Sequence, residues 1–245
     1  MDTLYRELTK ALQSDELIAQ VTVISGKYIG EKMLLWPDGR QMGSLGAADL
    51  ETQIIQESKA LFQQQETRKL ELRLGDEITL VFLEVFPPSP RLIVVGAVHI
   101  AIPLTDLGKT MGFRTIVVDA RSAFATRERF PNADEMIVGW PSEVLESLNL
   151  DEGAYIAILS HDAKFDIPAL QVAVESRARY VGVMASKNTY SVLSEALREN
   201  GVSDALLRKV HTPIGIKKLG ARGPEGIAFS IMAEMIAEMR GVQIS

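Results

Sequence analysis

The stretch RLIVVGAVHIAIPLTDLGKTMGFRTIVVDAR, residues 91–121, decides the fold of this chain. Its opening run, Leu92 to Gly96, is apolar without alternation, the pattern of a strand buried on both faces. A helical segment follows from near His99, and a second apolar run, Thr115 to Asp119, ends in a carboxylate. Strand, helix and strand within about 30 residues make a βαβ unit. Three further short runs follow, Glu135 to Val138, Ala154 to Ser160 and Tyr180 to Met184, most of them separated by helical patterns. Right-handed crossovers then stack helices on both faces of a parallel sheet, so the fold class is α/β, with a Rossmann-like sheet. Gly223 and Pro224 start a last helix and Gly241 ends it. Ile227, Ala228, Ile231, Met232, Met235, Ile236 and Met239 form its apolar stripe, which suits core or dimer surface.

Upstream, FPPSPR (residues 86–91) holds three of the ten prolines, which remove backbone donors and stop both helices and central strands. The predicted boundary therefore separates residues 1–88, a smaller α+β domain, from residues 89–245. In the first part, Ala19 to Ser25 and Lys32 to Trp36 read as strands, with PDGR (residues 37–40) as a turn. Leu50, Ile54, Leu61 and Phe62 share one face of a helix that Ser44 and its neighbouring glycines lead into. Lys69 to Leu74 and Glu77 to Phe86 form a hairpin about Gly75 and Asp76.

The chain has 245 residues, enough for one large domain or two modest ones, and 47% hydrophobic with 24% charged residues is a globular balance. A formal charge of −6 offers no general attraction to polyphosphate, so nucleic acid is not an expected partner. The absence of cysteine excludes disulfides, thiolate nucleophiles, iron–sulfur clusters and cysteine zinc sites. At the amino terminus Leu4, Leu8 and Leu12 recur among charges, an amphipathic helix and not a secretory signal. No apolar run approaches the ~18 residues of a spanning helix, so the expectation is a cytoplasmic protein without membrane attachment.

All three histidines, His99, His161 and His211, fall where a strand gives way to a loop. The carboxyl ends of parallel strands face the crevice where such sheets bind ligands, so the three are expected around one site. Gly96, Ala97 and His99, with Asp119 about 20 residues on, have the architecture of a dinucleotide fingerprint. Val98 stands at the second glycine position, where it adds bulk beside a phosphate. Asp119 and Arg121 suit a ribose and an anion, or simply an ion pair. Ser160, His161 and Asp162, with Asp166 on the same helical face, offer a general acid or base, or else helix caps. Ser186 and Lys187 begin a helix that can meet an anion, and Pro213 and Gly215 sit in a loop closing over the same crevice. No histidine pair has local ligand spacing, so no metal site is expected.

Taken in order, LIVVGAVHIA, VVDAR, ERFPNAD, SHD, YVGVMASK, HTPIG and PEGIAFSIMAEMI resemble the XdhC/CoxI family of accessory proteins for molybdenum hydroxylases such as xanthine dehydrogenase. KMLLWPDGRQMGSLGAADLE resembles its amino-terminal part. The resemblance implies a non-catalytic chaperone that binds the molybdenum cofactor (molybdopterin), forms a homodimer and delivers the cofactor to an apo molybdenum hydroxylase. The alternatives are an NAD(P)-dependent oxidoreductase with His161 as its catalytic proton donor, and a scaffold dimer with a vestigial site. Two departures from the family pattern stand out. Val98 replaces a glycine, and neither Gly46-Ala47-Ala48 nor Gly75-Asp76-Glu77 carries the family's glycine run or cysteine, so no thiolate can touch a cofactor here.

Overall fold

The computed structural model describes residues 3–75 and 77–242. They form two compact units, Met1–Pro88 and Ser89–Ser245. Asp76, half of the expected hairpin turn, lies outside the described residues.

In the first unit, strands β1 (Ile18–Ser25), β2 (Lys32–Leu35), β3 (Gln41–Ser44), β4 (Arg68–Leu74) and β5 (Glu77–Phe86) form an antiparallel sheet in the order β3-β2-β1-β5-β4. Alternation along β1 sends Ala19, Val21 and Val23 to one face, under Leu50, Ile54, Leu61 and Phe62 of helix α2 (Ala48–Gln64). Helix α1 (Thr3–Gln13) packs with Ile18, Leu34 and Trp36, which belong to a separate cluster. Its buried stripe runs Leu4, Leu8, Ala11, at the i, i+4, i+7 spacing, and the expected Leu12 is instead 42% exposed. Ser44 ends β3 and also leads into α2, since Glu51 in the first turn of that helix accepts from both the Ser44 hydroxyl and the Leu45 amide.

The second unit is a three-layer α/β sandwich. Its strands β6 (Arg91–Val95), β7 (Arg114–Asp119), β8 (Glu135–Val138), β9 (Ala154–Ile158) and β10 (Tyr180–Val183) are parallel, in the order β10-β9-β6-β7-β8. Helices α3 (Ala101–Thr110) and α8 (Gly223–Met239) pack on one face with Leu92, Val94, Val117 and Ala157. Helices α4 (Pro141–Ser147), α5 (Ala163–Glu175), α6 (Lys187–Glu199) and the short α7 (Asp204–Leu207) cover Ile93, Val95, Ile156 and Ile158. Each such fully buried aliphatic side chain contributes about 1.5–3 kcal/mol, which is why the unbroken apolar runs form the central strands. Helix α3 starts at Ala101, two residues after the expected His99, and Pro103 sits in its first turn, where amides lack helical partners. Among the described residues no helix is long and apolar enough to cross a membrane.

Candidate functional site

Strand order reverses between β6 and β9, so the crevice that binds ligands in open parallel sheets lies above the carboxyl ends of those two strands. Gly96 ends β6 there with φ of 99°, and a Cβ on it would stand 2.7 Å from the backbone nitrogen and Cα of Ser160. The glycine thus lets the two strand ends close on each other. Ala97 and Gly96 are buried, whereas His99 is exposed on the turn that follows.

Asp119 is 2% exposed and its carboxylate is fully engaged. It accepts from the Ala97 amide (2.8 Å), from the Arg121 amide (2.9 Å), and from Arg121 Nε and Nη2 at 2.9 Å each. Burial pushes the Asp119 carboxyl up, but these Arg121 and backbone hydrogen bonds outweigh it and hold it below the ordinary aspartate value. The Arg121 guanidinium also lies 4.2 Å from the Phe124 ring. Of the two sequence readings of this pair, the ion pair is the one formed: Asp119 latches the β6–α3 turn to the end of β7. The turn amide of Ala97, which would otherwise point at a phosphate, is spent on that latch.

Across the switch point, β9 runs into Ser160, His161 and the amino end of α5. Asp162 caps that helix, accepting from the Lys164 amide at 3.1 Å. Ser160 Oγ donates to Asp166 Oδ1 at 2.5 Å, and Asp166 is only 4% exposed. Burial raises the Asp166 carboxyl above its ordinary value, although the Ser160 hydrogen bond and the nearby His161 both oppose it. His161 takes the left-handed conformation with φ of 60° and is exposed. A side chain in that conformation costs about 1–2 kcal/mol, and such strain concentrates where a side chain must be aimed at a ligand.

His161 opens onto a cavity of about 380 Å³. Met184, Ala185, Pro213, Ile214 and Ile227 provide apolar walls, and Ser186 and Thr189 add hydroxyls. Ser186 caps α6 through a 3.1 Å bond from the Thr189 amide, and the two hydroxyls lie 2.8 Å apart. The cavity therefore gathers His161, Ser186 and Pro213 of the expected residues. Gly96, Ala97, His99, Asp119, Arg121, Ser160, Asp162, Lys187 and Gly215 are outside its lining. Such a space fits a flat ring held by apolar contact and oriented by an imidazole and a hydroxyl. None of its lining residues is a lysine or arginine.

The wall formed by Pro213 and Ile214 is held from behind by His211 and by Glu234 of α8, a residue outside the sequence-based expectations. His211 pairs with the outer edge of β10: its amide donates to the Val181 carbonyl (2.9 Å) and its carbonyl accepts from Val183 (3.0 Å). Its ring stacks on Tyr180 with centroids 4.3 Å apart. Glu234 ties the group together. Its Oε2 accepts from the Tyr180 hydroxyl at 2.5 Å and from the Gly215 amide at 2.9 Å, and its Oε1 lies 3.6 Å from His211 Nδ1. Burial raises the Glu234 carboxyl, but the nearby His211 and the hydrogen bonds from Tyr180 and Gly215 prevail and leave it below its ordinary value. His211 is thus part of the support for the loop, one layer behind the cavity. The available signal was Glu234 itself, a carboxylate three residues after Ile231 on an otherwise apolar stripe.

Comparison with known proteins agrees with this architecture. Residues 92–235 match the XdhC Rossmann domain, and residues 11–74 match the XdhC and CoxI family. A Bacillus subtilis protein, named as one of the subunits of a probable xanthine dehydrogenase, is 30% identical over 169 residues, 69% of this chain and 49% of that protein. The Escherichia coli molybdenum cofactor insertion chaperone PaoD is 25% identical over 150 residues, 61% of this chain and 40% of that protein. The chain thus spans half or less of the length of these relatives. A crystal structure from Bacillus halodurans, described as a xanthine dehydrogenase, superposes with a TM-score of 0.58 over 97% of this chain and 96% of that one, at 22% identity, and shares the fold.

Proposed function

The chain belongs to the XdhC and CoxI family, and from that premise we propose that it is a non-catalytic accessory protein that takes up the molybdenum cofactor and passes it to an apo molybdenum hydroxylase. The observation that carries the reading is the cavity of about 380 Å³ at the ends of β9 and β10, where a strained His161 faces apolar walls and the volume admits a pterin ring. The cofactor is cargo here, so the site must hold it without reacting with it. A predominantly apolar wall with few polar groups suits that task, because it orients the ring and leaves the metal end to the client. In this reading His161 and Ser186 contact polar atoms of the ring. Lys187 and the first-turn amides of α6 are the groups left to meet its phosphate, since Arg121 is held by Asp119. A homodimer acting in the cytoplasm completes the proposal.

An NAD(P)-dependent oxidoreductase is less well supported. The Ala97 amide and the Asp119 carboxylate, which would meet pyrophosphate and ribose, already satisfy each other. The test is to incubate the purified protein with molybdenum cofactor, desalt it, and measure retained molybdenum and pterin. The wild type is expected to retain both near one per chain or per dimer, and His161→Ala to retain far less. Loss of both to background in the wild type would refute the proposal. Native mass spectrometry of the same samples reads the oligomer.

A further inference from the structure

A second cavity, of about 310 Å³, lies at the opposite end of the same sheet, where Glu152 precedes β9 and Arg179 precedes β10. We propose that it is a binding site for a small dianion of the phosphate or phosphate-monoester class.

Charge carries the argument. Arg177, Arg179 and Lys209 line this cavity against one carboxylate, Glu152, in a chain whose formal charge is −6. Glu152 is committed to Arg177 at 3.2 Å. Arg179 lies beside the phenol of Tyr155, a neutral partner that leaves the guanidinium charge unbalanced. Among the described residues the Lys209 ammonium has no ion-pair partner. Two cations outside any ion pair among the described residues, Arg179 and Lys209, therefore border the cavity beside Ala173, Val174 and Val181. The cavity beside His161 has no lysine or arginine in its lining.

The carboxyl end of α5 also borders the cavity, and cations favour the negative end of a helix. That accounts for Arg177 and Arg179 in part, but Lys209 arrives from a different element, beyond α7. The backbone contributes nothing to an incoming anion. The amides of Arg177, Ala178 and Arg179 already donate to the Leu150 carbonyl, the Ser176 hydroxyl and the Ala154 carbonyl. Side chains alone hold the ligand, and since they are exposed the affinity is modest and salt-dependent.

The test titrates the full chain with inorganic phosphate, and separately with glycerol phosphate, at constant ionic strength. Amide NMR shifts are followed at residues 176–179 and 209, with chloride as control. Saturable shifts confined to this end are expected, weakened ~10-fold or more in Arg179→Gln/Lys209→Gln, a loss of about 1.4 kcal/mol. Tighter binding of glycerol phosphate assigns a monoester; equal or tighter binding of phosphate assigns the free ion. Shifts that chloride reproduces, shifts equal in the double variant, or no saturation would each overturn the proposal. A lowered melting temperature in the double variant without phosphate-specific shifts would show that these cations only balance the helix end.

Discussion

Replacing Glu234 by alanine tests the architecture behind the cavity most directly. The Tyr180 side chain is fully buried, and Gly215 is buried as well. Without the carboxylate both donors lose their acceptor. An orphaned buried donor costs about 1–3 kcal/mol, so two together cost roughly 2–6 kcal/mol. Removal of a partly desolvated carboxylate offsets some of this, and the His211 contact at 3.6 Å is too long to add much. A net loss of about 2–4 kcal/mol is expected. Glu234→Gln keeps one acceptor oxygen and should lose about half as much. Urea denaturation in a Trp36→Phe background, where Trp140 alone reports the second unit, measures the loss. Hydrogen exchange at the Gly215 amide locates it. The pH dependence has a definite sign. Because the folded-state carboxyl sits below its ordinary value, its stabilisation is complete above the unfolded pKa of about 4.3. It fades as pH falls through the lower folded value, so the gap between wild type and Glu234→Gln should narrow in acid. An alanine variant within about 0.5 kcal/mol of wild type, with Gly215 still protected, would refute the reasoning.

Gly96→Ala meets both a φ of 99° and the Ser160 backbone at 2.7 Å, so a loss of about 3 kcal/mol or more is expected in the same denaturation assay. Asp119→Asn removes the charge that Arg121 pairs with. Because Arg121 is 38% exposed and screened by solvent, the cost is about 1–2 kcal/mol. That difference too should shrink as pH falls below the ordinary aspartate range, since the Asp119 carboxyl is held low in the folded state. His161→Gly relieves the left-handed strain and should raise stability by up to about 1 kcal/mol. Cofactor retention should fall in the same variant, and a variant that is both less stable and fully competent would contradict the assigned role.

The parallel sheet was legible because Leu92–Val95, Ile116–Val118 and Ile156–Ile158 are apolar on both faces, and only a sheet covered on both sides produces that pattern. The crevice was legible from topology, since strand ends in such a sheet are fixed by the connections. Side-chain partnership was not. Sequence spacing placed Asp119 and Arg121 together but could not tell that they would face each other and the Ala97 amide, leaving little for a ligand. The three histidines were expected at equivalent strand ends, but only His99 and His161 follow strands of the sheet, β6 and β9, whereas His211 follows helix α7. His161 turns into the cavity, His211 pairs with the sheet edge, and His99 is left on an exposed turn. Glu234 went unread because the helical stripe around it was judged by its apolar members.

The His211 bridge has a consequence for how this protein meets others. Val181 and Val183 turn their backbone groups away from β9, and the Val181 carbonyl and both Val183 groups are taken by His211 and by the Ile214 amide. An extended segment from another chain thus finds most of the ladder along β10 already occupied, which opposes strand addition on that side. Any partner docking near the cavity must therefore recognise this flank through side chains and not through main-chain strand addition.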